Sequence, residues 1–263
     1  MRILITNDDG ITAPGLKVME AIAHEIAGAD GEVWTVAPAS EQSGVSHCIS
    51  YVRPMRLEQL AERRFAVEGS PADCVLAGLH DVLKDSPPDL VLSGVNRGHN
   101  VAEDTLYSGT IGAAMEAALH GHKAIAMSQY YGKYNHDLDD PFDAARGHAA
   151  PLIRQLLKTA PWHDKAYETF YNINFPPIAA ADVKGVRTTR QGARSAAPFG
   201  VEAQVAGNGR RYLWLSHNAD NSTAAQGSDA FEAAQGYATI TALHADLTHD
   251  SALQSLATLD ADF

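Results

Sequence analysis

Cysteine is nearly absent. Cys48 and Cys74 are the two in 263 residues, too few to build a disulfide framework or a cysteine zinc site within one chain. Long hydrophobic runs are missing as well. The apolar stretches reach about five to eight residues, roughly a third of the ~20 that cross a bilayer, and no basic segment followed by a long apolar one opens the chain. A soluble, cytoplasmic protein with no membrane partner is the default expectation. Positive charge is scarce, with 20 Lys and Arg against 32 Asp and Glu and a net charge of −12. That balance repels polyanions and argues against a nucleic-acid partner. An anionic small substrate would need a local receiver, and a bound cation or a helix N-terminus fits so acidic a chain better than a basic patch. The twelve histidines show no HExxH spacing, and no glycine loop follows GxGxxG. No internal repeat or low-complexity segment stands out. Apolar residues themselves are not lacking: at 45% they suffice for a full core.

The first half alternates short apolar runs with helix-like stretches, the pattern of a parallel sheet flanked by helices. Arg2–Thr6, Glu32–Ala37, Leu90–Ser93, Ala124–Met127 and Thr169–Phe175 read as buried strands. Gly15–Ala27, Ser108–His120 and Pro141–Thr159 carry apolar residues at helical spacing. Together they predict a doubly wound α/β core over residues 1–180. After Pro176-Pro177 the texture changes to Gly, Ala and Gln with short strands at Gly185–Thr189, Arg211–Leu215 and Tyr237–Leu243. Residues 181–263 are therefore expected to form a C-terminal extension. Asn208-Gly209 signals a hairpin with a two-residue turn, and a protruding hairpin calls for a partner copy to cover it.

Four segments carry chemistry. Asn7-Asp8-Asp9-Gly10 follows the first strand, at the carboxyl edge where open α/β sheets bind ligands. A turn at Asp9-Gly10 can bring both carboxylates to one point, and two such charges favour a divalent cation. Ser43-Gly44 follows the second strand and offers a hydroxyl. Asn96, in Ser93–Asn100, offers a carboxamide oxygen between glycines. Ser108-Gly109-Thr110 opens a helix, whose free N–H groups and positive dipole end form a natural phosphate cradle. Each segment alone also reads as an ordinary turn or helix cap. Jointly they place oxygen ligands on one edge, which favours magnesium, manganese or calcium over zinc or copper.

These blocks resemble the SurE family of metal-dependent nucleotidases. The resemblance rests on RILITNDDG, the serine-glycine after APASEQ, EGSPADCV at Glu68–Val75, SGVNRGHN at Ser93–Asn100, YSGT at Tyr107–Thr110 and GYATITALHADLT at Gly236–Thr248, in that order. It implies a Rossmann-like core, with a C-terminal extension and tail that assemble a homodimer or homotetramer. It implies removal of phosphate from nucleoside 5′- and 3′-monophosphates, with short polyphosphate as a further substrate. By the same resemblance Asp8, Asp9, Ser43 and Asn96 hold one divalent metal ion, Mg2+ or Mn2+, and are the catalytic set. Asn7, Gly44, Ser108, Gly109 and Thr110 are expected at the phosphate. Gln42 replaces a usually basic residue and Ala242 a common proline. Two rivals compete: a nucleotide-binding regulatory module without turnover, and an aspartyl-phosphate phosphatase. The second requires a DxD pair, and Asn7 stands where its nucleophile would be.

Overall fold

In the computed structural model, residues 1–163, 166–194, 199–217, 221, 223–256 and 259 are described. Chain order runs β1 (Arg2–Thr6), α1 (Pro14–Ala27), β2 (Glu32–Pro38), β3 (Leu57–Ala61), β4 (Arg64–Val67), α2 (Pro71–Ala77), β5 (Leu90–Arg97), α3 (Gly109–Leu119), β6 (Ala124–Gln129), α4 (Asp143–Thr159), β7 (Phe170–Phe175), β8 (Val186–Thr189), β9 (Phe199–Val205), β10 (Arg211–His217), α5 (Asp229–Ala234), β11 (Ala238–Leu243) and α6 (Asp250–Leu256).

The main sheet has nine strands in the order β3-β4-β2-β1-β5-β6-β7-β11-β8. Its centre is parallel, and only β3–β4 and β7–β11 run antiparallel. Strand alternation sorts the core onto both faces. Ile3, Ile5, Leu90, Leu92, Ile125 and Met127 pack against α1 and α4, whereas Leu4, Val91, Ala124 and Ala126 pack against α2 and α3. Each fully buried Ile or Leu among them contributes roughly 1.5–3 kcal/mol. This two-faced burial is why these strands read as unbroken apolar runs.

The division expected at residue 180 falls inside this sheet, because β11 pairs with β7 and β8 with β11. The segments that escaped the sequence reading are short or exposed. Every residue of β3 faces solvent, leaving no alternation to detect. Helix α2 has seven residues, too few for a period, although Pro71 opens it and Ser70 and Asp73 close a capping box. Strands β9 and β10 form a separate two-stranded sheet. Its turn is longer than the two residues expected: Val205 pairs with Arg211, and the chain reverses over 206–210 with Gly209 at φ +79°.

β5 runs four residues past the strand expected from the sequence. The register against β6 shifts between Ser93 and Asn96, a bulge that re-aims the strand end. Gly94 permits it, at φ +131° and with the Met127 carbonyl oxygen 2.2 Å from where a Cβ would sit.

Candidate active site

Connectivity puts the ends of β1 and β5 side by side. From β1 the chain leaves for β2 on one flank, and β5 returns on the other, so the crevice outside β1 and β5 is the topological switch point where α/β sheets bind ligands. A cavity of ≈ 380 Å³ lies there, lined by Asp8, Ser43, Gly44, Asn96 and Ser108 among others. Five expected residues from four distant segments therefore share one wall. A larger cavity of ≈ 540 Å³ beside β2 and β4 is lined by Glu20 and Arg64, which bond each other, and contains none of the expected residues.

The turn after β1 is built by Asn7, whose side chain accepts from Gly10 N–H at 3.2 Å and donates to the Gly10 carbonyl at 3.0 Å. Asn7 is fully buried and serves this turn rather than the cavity surface. The Ser43 loop docks on the same turn through Gln42 N–H to the Asp8 carbonyl at 2.7 Å, and the Ser43 hydroxyl donates to Glu41 at 2.9 Å. Asn96 donates its amide hydrogen to the Gly98 carbonyl at 2.9 Å, which directs its donor end into the loop.

Asp8 sits against the start of α3. Its Oδ1 accepts from the Thr110 hydroxyl at 2.7 Å and its Oδ2 from the Thr110 N–H at 3.2 Å. Thr110 is thus committed to Asp8, with no exposed surface of its own. Ser108 caps α3 by accepting from Ile111 N–H at 3.2 Å. Gly109 backs onto Asp8, whose Cβ lies 3.0 Å from where a glycine-to-alanine methyl would go. Burial, then the neighbouring charge of Asp9, pushes the Asp8 carboxyl up to about 6 against the pull of Thr110. Asp9 does not line the same cavity; it lines an adjoining one of ≈ 180 Å³ with Glu41 and Arg97. Burial raises it as well, opposed by the Arg97 N–H bonded to it at 3.1 Å.

One cluster at the cavity was invisible in the sequence. Arg194, with a side chain 2% exposed, clamps both oxygens of Asp104 at 3.0 and 2.8 Å. His217 reaches Asp104 at 3.0 Å and His99 lies 3.5 Å from it. Burial opposes ionisation of Asp104, but the bonds from Arg194 and His217 outweigh it and hold the carboxyl below its ordinary value. Burial drives His99 down to about 4 despite Asp104. Asp104 stands close to the YSGT block, but Arg194 and His217 arrive from remote, featureless stretches. His99 lies in the Ser93–Asn100 block, three residues after Asn96.

Fold and cavity define a class first: an α/β protein with an acidic, oxygen-lined cavity at the switch point of a parallel sheet. The chain matches the model of Survival protein SurE over residues 3–198. It is 58% identical over 256 residues to the 5′-nucleotidase SurE of Ruegeria pomeroyi, across 97% of this chain and 98% of that protein. It is 59% identical over 259 residues to the 5′-nucleotidase SurE of Jannaschia sp., again across 97% and 98%. Among solved structures, the SurE protein from Aquifex aeolicus aligns with a TM-score of 0.80 at 31% identity, over 98% of this chain and 99% of that one. The chain belongs to the SurE family.

Proposed function

We propose that the protein is a metal-dependent phosphomonoester hydrolase that releases phosphate from nucleoside 5′-monophosphates, and also from 3′-monophosphates and short polyphosphate. The observation that carries this reading is the shared cavity wall of Asp8, Ser43, Gly44, Asn96 and Ser108 beside the N-terminus of α3. Relatives of 56–59% identity bear the name 5′-nucleotidase SurE, which favours the same chemistry.

The donor set suits a hard divalent cation. Asp8 and Asp9 are adjacent carboxylates that resist ionisation together, and neighbouring oxygens come from Ser43 and Asn96, a combination that magnesium or manganese satisfies. Asp8, Asp9, Ser43 and Asn96 would hold it. When bound, such an ion supplies charge neutralisation at the phosphoryl group and lowers the pKa of a water nucleophile.

The chain's own contribution is positioning. Thr110 holds Asp8 by two bonds, so its carboxylate cannot swing away. The Thr110 and Ile111 N–H groups are already committed, which leaves the Gly109 N–H and the Ser108 hydroxyl as the donors we assign to the phosphoryl oxygens. At a helix start these groups face anionic oxygen without reorganisation as charge spreads in the transition state. Asn7 keeps the turn that presents Asp8, and Gly44 lines the same wall.

Assembly into a homodimer or homotetramer through the β9–β10 hairpin belongs to this reading, because Val201, Val205 and Leu213 stand 61–67% exposed on one of its faces. Among the described residues no helix is long and apolar enough to cross a membrane, in keeping with the cytoplasmic location we assign.

The deciding assay incubates the protein with AMP and Mn2+ and measures free phosphate with and without a chelator. Chelator-sensitive release is expected. AMP that binds without release would identify a nucleotide-binding module instead. Asp9→Asn should lower the rate by several orders of magnitude with the fold intact, and near-normal turnover would remove it from the site.

A further inference from the structure

Breaking a P–O5′ bond leaves its electron pair on a nucleoside alkoxide, a poor leaving group unless a proton reaches it as it departs. Asp8, Asp9, Ser43 and Asn96 serve the cation and Ser108 and Gly109 the phosphoryl oxygens, which leaves the departing oxygen without a proton donor. Imidazole is the side chain that exchanges protons near neutral pH, and two imidazoles line the cavity, those of His99 and His217. Both approach Asp104, in different surroundings.

His99 is enclosed. Its side chain is 6% exposed, its ring lies against that of Tyr130 with centroids 4.0 Å apart, and Arg194 stands 3.4 Å from its Nε2. Burial drives it down to about 4, so near neutral pH it is uncharged and has no acidic proton to hand over. His217 is open to the cavity instead. Its side chain is 41% exposed, and its Nε2 bonds to Asp104 Oδ1 at 3.0 Å. Among the described residues, Nδ1 has no bonded partner. Arg194 fixes both Asp104 oxygens, and the bonds to Asp104 hold its carboxyl below the ordinary value. An ionised carboxylate at Nε2 makes that nitrogen the donor to Asp104 and orients the ring. The proton free for transfer from the charged imidazole is then the one on Nδ1.

Asp104 ties this histidine to the phosphate end of the cavity. It lies in the 3₁₀ turn Ala102–Leu106, four residues before Ser108, and its carbonyl accepts from Tyr107 N–H at 3.1 Å. The hairpin that bears His217 carries none of the four proposed cation ligands. Attack and departure are roughly in line in phosphoryl transfer, so the leaving oxygen points away from the groups that position the water.

We propose that His217 is the general acid of phosphomonoester cleavage, giving its Nδ1 proton to the leaving nucleoside oxygen, with Asp104 and Arg194 as its positioning residues. The proposal rests on the hydrolase reading above. As the water oxygen bonds to phosphorus, the P–O5′ bond breaks, its electron pair stays on O5′, and the Nδ1 proton joins that oxygen. The neutral imidazole then regains from solvent the equivalent of the proton that the attacking water releases. Phosphate and nucleoside are the products, and water is the co-reactant.

The test uses leaving groups that differ in their need for a proton. AMP leaves an alkoxide, whereas p-nitrophenyl phosphate leaves a phenolate stable enough to depart unprotonated. In His217→Gln the side-chain amide can still donate to Asp104, but no titratable nitrogen remains. With Mn2+ present, kcat on AMP should fall at least ~100-fold, the lower end of what general acid catalysis contributes, while kcat on p-nitrophenyl phosphate changes less than about threefold. Retained turnover of the aryl ester also shows that the variant is folded. His217→Asn repeats the comparison with a shorter amide and should show the same selective loss. Losses of similar size on both esters in both variants mark a merely structural histidine and overturn the proposal, as does wild-type turnover of AMP in His217→Gln. A wild type that releases phosphate from neither ester overturns the hydrolase reading and this proposal with it.

Discussion

Asp8 and Thr110 show how one residue contact sets the chemistry of the cavity. A buried carboxylate pushed up to about 6 is poorly suited to holding a cation unless its charge is supported, and Thr110 supplies that support from both its hydroxyl and its N–H. Thr110→Val keeps the side-chain shape and the N–H bond but removes the 2.7 Å hydroxyl bond. A hydrogen bond to a charged group is worth roughly 1.5–3 kcal/mol, so phosphate release should fall at least tenfold. Thr110→Ser should recover most of it, and unchanged turnover in Thr110→Val would separate Thr110 from the site. At this scale Asp8, Ser43, Asn96 and Ser108 were readable, because each sits in a motif that ends a strand or starts a helix. The commitment of Thr110 to Asp8 was not, since sequence position shows that a hydroxyl is near a helix start but not which acceptor it meets. Nor was the Asp104–Arg194–His217 cluster, whose members lie up to 113 positions apart.

Among the elements, the central strands announced themselves because both their faces are buried, so hydrophobicity survives every other constraint on them. β3 and β9 were silent for the opposite reason: they are exposed along their whole length, and solvent imposes no pattern. The hairpin signal at Asn208-Gly209 identified the reversal but not its length, because Gly209 serves equally in a longer turn that needs one residue at positive φ. The exposed apolar face of that hairpin motivates a prediction about assembly. Leu213, 62% exposed, should lie in an interface between copies. Leu213→Glu is expected to shift the sedimenting species towards the monomer with helical content unchanged, and a wild type that sediments as a monomer would refute the assignment.

Across the whole molecule, buried titratable groups make stability depend on pH in opposing directions. His99 is held neutral, its pKa about 4 against an ordinary 6.5, so between those values the unfolded chain binds more protons and stability falls as pH drops. Asp229 is raised by burial to about 6 from 3.8. The folded form keeps its proton where the unfolded form has lost it, so this group removes stability as pH climbs through that window. Asp8, raised to about 6 by burial, acts in the same direction as Asp229, so the carboxylate trend outweighs that of His99 in the wild type. In His99→Gln only the carboxylate trend remains, and the stability difference between wild type and variant should grow by about 3 kcal/mol from pH 4 to 6.5. Urea denaturation at several pH values measures it, and a difference independent of pH would show that His99 titrates normally. The sequence alone determined the alternation of parallel strands and helices and the identity of the oxygen-bearing residues at the carboxyl edge, because burial on both faces and turn chemistry leave local marks. Only the tertiary structure decided that Asp8 and Asp9 open into separate cavities, that Thr110 serves Asp8, and that a distant hairpin walls the site. Those outcomes depend on the relative placement of segments far apart in the chain, and nothing in a local pattern encodes a distance between them.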